Sequence, residues 1–228
     1  MFNFKNQQKF SNSLYNKMNK IEEIISIWKN ELKNKNFKSS TIVTLFFMSI
    51  VLFLVTKYLA YNELRDGFVI KDPVLSLFNP IDVTWITFII MYSAIPFTII
   101  SLLKDPRSLI FALQVYIFMI SFRVTGMFLL PLNPPETIII LQDPFIAFFS
   151  TGMTFTKDLF FSGHTATMFL MYLVVKNKII KTILLICSIS IGVLVLIQHV
   201  HYSIDVFASP FFTYVAYVIA KKINLKYS

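Results

Sequence analysis

The chain has 228 residues, is 56% hydrophobic, and carries 25 Phe against only 5 Gly, with a formal net charge of +9. Several apolar stretches are too long for the core of a soluble domain, so the sequence reads as an all-α, polytopic membrane protein. The lysines lie beside those stretches, which points to anionic headgroups at a membrane surface and not to nucleic acid.

Residues 1–39 read as a basic, Asn-rich cytosolic segment. Within it, Ile21, Ile24, Ile25, Trp28 and Leu32 recur at helical spacing, while Lys20, Glu23, Lys29 and Lys33 fall largely elsewhere. The pattern predicts an amphipathic helix lying at the membrane interface. The segment is polar and has no early apolar core, so no cleavable signal peptide is expected and the first span is expected to direct insertion.

Six spans are predicted over 40–222, followed by a cytosolic tail at 223–228. They run over Thr41–Leu59, Val83–Leu103, Ser108–Leu130, Ser162–Val175, Thr182–Gln198 and Ser203–Ala220. Lys57 is expected to snorkel near the end of the first, and Pro96 to kink the second. The fourth and sixth are shorter than the roughly twenty residues of a straight crossing. Cys187, the one cysteine, lies inside the fifth and is expected only to pack.

An even number of spans places both termini on one side. That side gathers Lys/Arg at 5, 9, 17, 20, 29, 33, 35, 38, 104, 107, 176, 178, 181, 221, 222 and 226, whereas the other holds only Arg65, Lys71 and Lys157. The positive-inside rule therefore predicts that both termini are cytosolic. The Lys/Ile/Asn/Phe-rich composition suggests an AT-rich genome. A bacterial inner membrane is the expected location, with a secretory-pathway membrane as the other choice.

Two strings, Asp158-Leu159-Phe160-Phe161-Ser162-Gly163-His164-Thr165 and His201-Tyr202-Ser203-Ile204-Asp205, then meet on the non-cytosolic side with the outer end of the third span. His201 and Asp205 are one helical turn apart and share a face. A carboxylate there can hold the Nδ1 proton and leave Nε2 free as a nucleophile. An Asp inside a span is costly, which favours a functional pair over a merely self-satisfied one. His164 opens the fourth span and is placed to move a proton. Ser162 is expected to cap that helix and Gly163 to let a ligand approach the backbone. Arg123 interrupts the third span and is expected to hold a substrate phosphate, snorkelling being the alternative. Asp158 and Tyr202 are expected beside the substrate, His199 at the interface, and Asp82 at a helix mouth as cap or cavity lining. No Cys pair or HExxH string is present, so no metal is expected, nor any other cofactor.

Those strings resemble the two C-terminal signature motifs of sphingomyelin synthases, within the wider lipid phosphate phosphatase superfamily. Arg123-Val124-Thr125-Gly126-Met127-Phe128-Leu129-Leu130-Pro131-Leu132-Asn133-Pro134 is similar to a third stretch of that family. The resemblance covers about residues 80–220. It implies six membrane helices, His201 as nucleophile, Asp205 as its partner and His164 as acid/base. It also implies transfer of a phosphoalcohol, phosphocholine or phosphoethanolamine, from a glycerophospholipid donor to a lipid alcohol acceptor such as ceramide. Diacylglycerol would leave first, through a phosphohistidine.

Ordinary lipid phosphatases of that superfamily carry a Lys-x6-Arg-Pro motif, which this chain lacks, and no Lys or Arg occurs between Lys181 and Lys221. A phosphodiester has one negative charge where a monoester has about two, so a cation-poor site suits the diester. Hydrolysis, with water as acceptor, is the nearest alternative, and a non-catalytic lipid-binding protein is the second. The sequence leaves the oligomeric state open. It also leaves the headgroup open, since outer-loop residues at 132–157 would select it.

Overall fold

A computed structural model describes residues 18–142 and 155–227 of the chain. Residues 18–31 form the first helix, α1. After a turn, Asn34 accepts from the amides of Asn36 and Phe37 and so starts α2, Lys35–Glu63. Capping explains why this helix begins six residues before the predicted span. The Asn side chain satisfies amides that the new helix leaves without partners.

Helices α3 (Thr84–Leu102) and α4 (Pro106–Leu129) are joined by a short turn. Asp105 caps α4 by accepting from Ser108 N, and Pro106 stands in its first turn, where a missing amide costs nothing. Then follow α5 (Gly163–Val174), α6 (Lys178–Ile197) and α7 (Ser203–Tyr227). Pro96 lies inside α3 as expected, and Pro210 lies inside α7.

Five of these helices, α2, α3, α4, α6 and α7, are long and apolar enough to cross a membrane. The fourth predicted span is the exception: α5 has 12 residues, or about 18 Å at the usual rise. That falls short of the roughly 30 Å of hydrocarbon in a bilayer. Its ends are fixed locally, by the Ser162 cap at one end and by extended Val175 ahead of the α6 cap, Asn177, at the other.

The α5 helix packs against α6, α7 and α4, while α3 covers α6 and α4 also contacts α7. Val115, Met119, Phe161, Met168, Ile191 and Ala216 are fully buried where these helices meet. Phe161 and Phe212 stack with ring centroids 5.1 Å apart. The α2 helix lies outside this group, against α4. Its Ile42, Val43, Phe46 and Phe47 are exposed. Such a surface suits lipid as solvent, and together the apolar helices make this an integral membrane protein.

The two ends of the bundle differ. At one end α1 is fastened to the α3–α4 turn, with Trp28 Nε1 donating to Leu103 O at 2.9 Å. Exposed ion pairs join Glu23 to Lys104, Glu31 to Arg107, and Asp105 to Lys176. Such pairs contribute little, so the Trp28 contact matters most for the position of α1. At the opposite end the loops 64–83, 130–142, 155–162 and 198–202 come together. Phe68 and Leu132 form a parallel β-bridge. A β-carbon on Gly67 would stand 2.7 Å from the Leu132 carbonyl carbon, so the close approach of these two loops requires glycine.

Candidate active site

The site lies where these loops meet. His201 and Asp205 take up the predicted relation: Nδ1 of His201 is 3.3 Å from Oδ2 of Asp205. Both side chains are buried. The same Oδ2 accepts from Tyr202 N at 3.2 Å, while the buried Oδ1 has no hydrogen-bond partner among the described residues. The carboxylate is thus held by the imidazole and one amide, which fixes the ring and its Nδ1 tautomer.

His164 stands in the first turn of α5, facing His201 with ring centroids 6.2 Å apart. Phe88 of α3 lies against its other side at 6.4 Å. Both imidazoles line a small open cleft. Asp158, Thr156 and Val200 continue the wall, and Ile138, Ile140, Leu141 and Phe155 complete it.

Ser162 caps α5 through Thr165 N, as expected. It also joins the two motifs directly. Its amide donates to Asp205 O at 3.1 Å, and Ser209 Oγ donates to Ser162 O at 2.9 Å and to Asp205 O at 2.7 Å.

Arg123 is buried and does not line the cleft. Its Nη2 is 2.6 Å from Asp158 Oδ1, and its Nε donates to Phe161 O at 2.8 Å. The guanidinium passes beneath Gly163, where a β-carbon would lie 2.5 Å from Nη1. Gly163 therefore makes room for Arg123. Arg123 clasps the 158–163 loop and so sets the position of His164. Burial opposes the charge on Asp158, but Arg123, by charge and hydrogen bond, outweighs it and holds the carboxyl below its usual pKa.

Tyr202 comes to the site through its backbone only. Its hydroxyl donates to Asn133 O at 2.9 Å and accepts from Ile70 N at 3.3 Å, so it fastens two outer loops beside His201. His199 is not helical; its φ is 54° and its Nδ1 lies 2.5 Å from Thr137 Oγ1. Asp82 accepts from Thr84 N, one residue ahead of Val83, the cap residue of α3.

Three further residues position the site without having stood out in the sequence. Asp72 Oδ2 accepts from Ser203 N and thereby caps α7 from 131 residues away. Hydrogen bonds from Ser203, Val74 and Leu75 outweigh its burial and lower its pKa. Glu63 accepts from the amides of Thr156 and Lys157, and Asn62 Nδ2 donates to Lys157 O, which ties the loop before Asp158 to α2. The local string Asp72-Pro73 signals a turn, but nothing in it signals Ser203. Among the described residues no group of three or more His, Cys, Asp or Glu side chains clusters as a metal-ligand set. Residues 143–154, part of the stretch expected to select the headgroup, lie outside the described residues.

The buried His201, backed by a carboxylate, and the half-buried His164 thus share a cleft with no Lys or Arg among its described lining residues. Residues 157–222 match the family described as PAP2 superfamily C-terminal. This PAP2 segment contains α5, α6, most of α7 and both histidine strings, and the match supports the lipid phosphate phosphatase superfamily. Members of the PAP2 superfamily are generally phosphatases or phosphotransferases, which suggests chemistry of that kind on a lipid. No curated protein and no solved structure matches the chain.

Proposed function

We propose that the chain is a lipid headgroup phosphotransferase, moving a phosphoalcohol from a glycerophospholipid to a lipid hydroxyl through a phosphohistidine. The observation that carries this is the His201–Asp205 hydrogen bond facing His164 across one cleft.

In the first half-reaction, His201 Nε2 attacks phosphorus while Asp205 holds the Nδ1 proton and stabilises the cation that forms. The bond from phosphorus to the glycerol oxygen breaks, and His164, protonated, gives that oxygen its proton. Diacylglycerol leaves. In the second half, His164 takes the proton of the acceptor hydroxyl, the resulting oxygen attacks phosphorus, and the bond to His201 breaks. Both histidines return to their starting states.

The charge of the site favours a diester. The guanidinium of Arg123, the cation expected to serve the phosphate, is already matched by Asp158. A doubly charged monoester would meet only the protonated His164 among the described lining residues, whereas a diester brings the one charge that it can match. Phosphocholine or phosphoethanolamine is the expected headgroup and ceramide one candidate acceptor.

In this reading α5 and the apolar residues before it complete a sixth crossing. Both termini are cytosolic, α1 lies in the interface, and the cleft opens on the non-cytosolic face. The basic residues of the α1 end, among them Lys104, Arg107, Lys176, Lys178 and Lys181, support this orientation.

The test is lipid turnover by the purified protein, offered labelled ceramide with phosphatidylcholine or phosphatidylethanolamine, beside His201→Ala. A new phosphosphingolipid absent from the variant is the expected result. Diacylglycerol with free phosphoalcohol instead would mean that water is the acceptor. No diacylglycerol from any donor, with the protein folded, would refute the proposal.

A further inference from the structure

One buried histidine has no part in this chemistry. His199 follows the last turn of α6, and the α6 terminus closes with Val200 N donating to Val195 O and His199 N to Leu196 O. That is the six-to-one and five-to-two pairing of a Schellman cap, whose left-handed position is ordinarily glycine. Here it is His199, with φ at 54°. A non-glycine residue in that region is unfavourable and persists where its surroundings hold it. Glycine would serve the cap better, so the side chain has another use.

The use is visible in what it touches. His199 Nδ1 meets Thr137 Oγ1 at 2.5 Å, and Phe78 packs edge-on at 5.2 Å between centroids. One residue earlier, Gln198 O accepts from Ile139 N at 3.1 Å, and Gln198 Nε2 donates to Ile139 O at 3.3 Å and Thr84 Oγ1 at 2.8 Å. Thr137 and Ile139 are thus both fastened to the end of α6. Beside and between these fastened residues, Ile138, Ile140 and Leu141 line the cleft. Asp158, His164 and His201 belong to the same lining. One cleft therefore combines polar, titratable side chains with apolar ones, matching an amphiphile with a phosphate at one end. Burial lowers the His199 pKa, although Asp72 pulls the other way, so the latch holds a neutral imidazole.

We infer that Gln198 and His199 form a latch that positions the 137–141 segment, and that this segment is the apolar wall against which the lipid substrate binds. The inference rests on the phosphotransfer reading for its substrate, but the latch itself can be tested without turnover. His199 is a positioning residue, acting through Thr137.

The experiment uses the full chain in lipid vesicles, with His199→Gly, His199→Asn and Thr137→Val. Kinetics of lipid conversion are read alongside the rate at which a thiol reagent labels Ile140→Cys in a Cys187→Ala background. His199→Gly relieves the cap and removes the latch; Asn tolerates the left-handed backbone and keeps a polar partner for Thr137. The loss of one hydrogen bond predicts that His199→Gly and Thr137→Val raise KM about fivefold. The same two variants should speed labelling while kcat stays within about twofold, the pattern of a lost binding contact. His199→Asn should restore both readouts towards wild type. Unchanged KM and labelling in His199→Gly would overturn the latch, as would a fall in kcat alone. Should the wild type turn over no lipid, the phosphotransfer reading fails, and labelling decides the latch by itself. A faster rate in His199→Gly and Thr137→Val supports it and an equal rate overturns it.

Discussion

Gly163 and Arg123 are packed so closely that a β-carbon on the first would stand 2.5 Å from Nη1 of the second. Gly163→Ala therefore displaces the guanidinium from Asp158 or shifts the start of α5 with His164. Overpacking of this kind costs about 1–3 kcal/mol, and a displacement near 1 Å at a catalytic group costs about a hundredfold in rate. Turnover should fall by about that factor while the protein still folds, as judged by its melting transition. Activity within threefold of wild type would mean that the Arg123 clasp does not set His164.

Asp205→Asn preserves shape but weakens the hold on the His201 tautomer. A drop in kcat of about a hundredfold to ten-thousandfold is expected, with little change in KM. Rapid-quench trapping of labelled phosphohistidine should show slower formation. Normal trapping and turnover in this variant would remove Asp205 from the chemistry.

Tyr202→Phe separates loop fastening from substrate contact. The hydroxyl bonds Asn133 O and Ile70 N, so its loss should lower stability by about 1–2 kcal/mol. Because the hydroxyl faces those loops, kcat should change by less than about threefold. Parallel melting and turnover measurements check this. A large loss of kcat with unchanged stability would place the hydroxyl on the substrate instead.

Asp72 gives a pH test. Its folded pKa lies below the usual value because Ser203, Val74 and Leu75 donate to it. A depressed carboxyl pKa contributes stability that is present above the unfolded value, near 3.9. That contribution is lost as pH falls through the folded value. Wild type should therefore melt higher than Asp72→Asn at pH 6, and the gap should close on titration below about pH 4. A gap that persists unchanged at pH 3 would assign the difference to shape and not to charge.

The helices, the Ser162 cap and the His201–Asp205 pair were legible in the sequence because each depends on residues within one helical turn. Hydropathy found the five long apolar helices for the same reason, and it set the short fourth segment, Ser162–Val175, within one residue of each end of α5. Contacts across the fold were not legible. Asp72 meets Ser203, Thr137 meets His199, and Arg123 meets Asp158, at separations of 131, 62 and 35 residues. Arg123 shows the difficulty best. A buried cation near an expected phosphate site invites assignment to the substrate, and only the packed structure reveals the carboxylate that already occupies it.

Ser162 and Asp205 share a hydrogen bond, and Ser209 bridges the carbonyls of both. The two histidine strings, whose His164 and His201 are 37 residues apart in the chain, are therefore one mechanical part. A substrate that pushes on His164 also moves His201, so their spacing resists change even when the surrounding loops are exchanged. Anyone transplanting this chemistry into another bundle would have to carry α5, α6 and the opening turns of α7 as a single cassette. The loops at 64–83 and 130–142 would have to come with it, or be replaced by loops that keep the grips at Ile70, Asp72, Asn133 and Thr137.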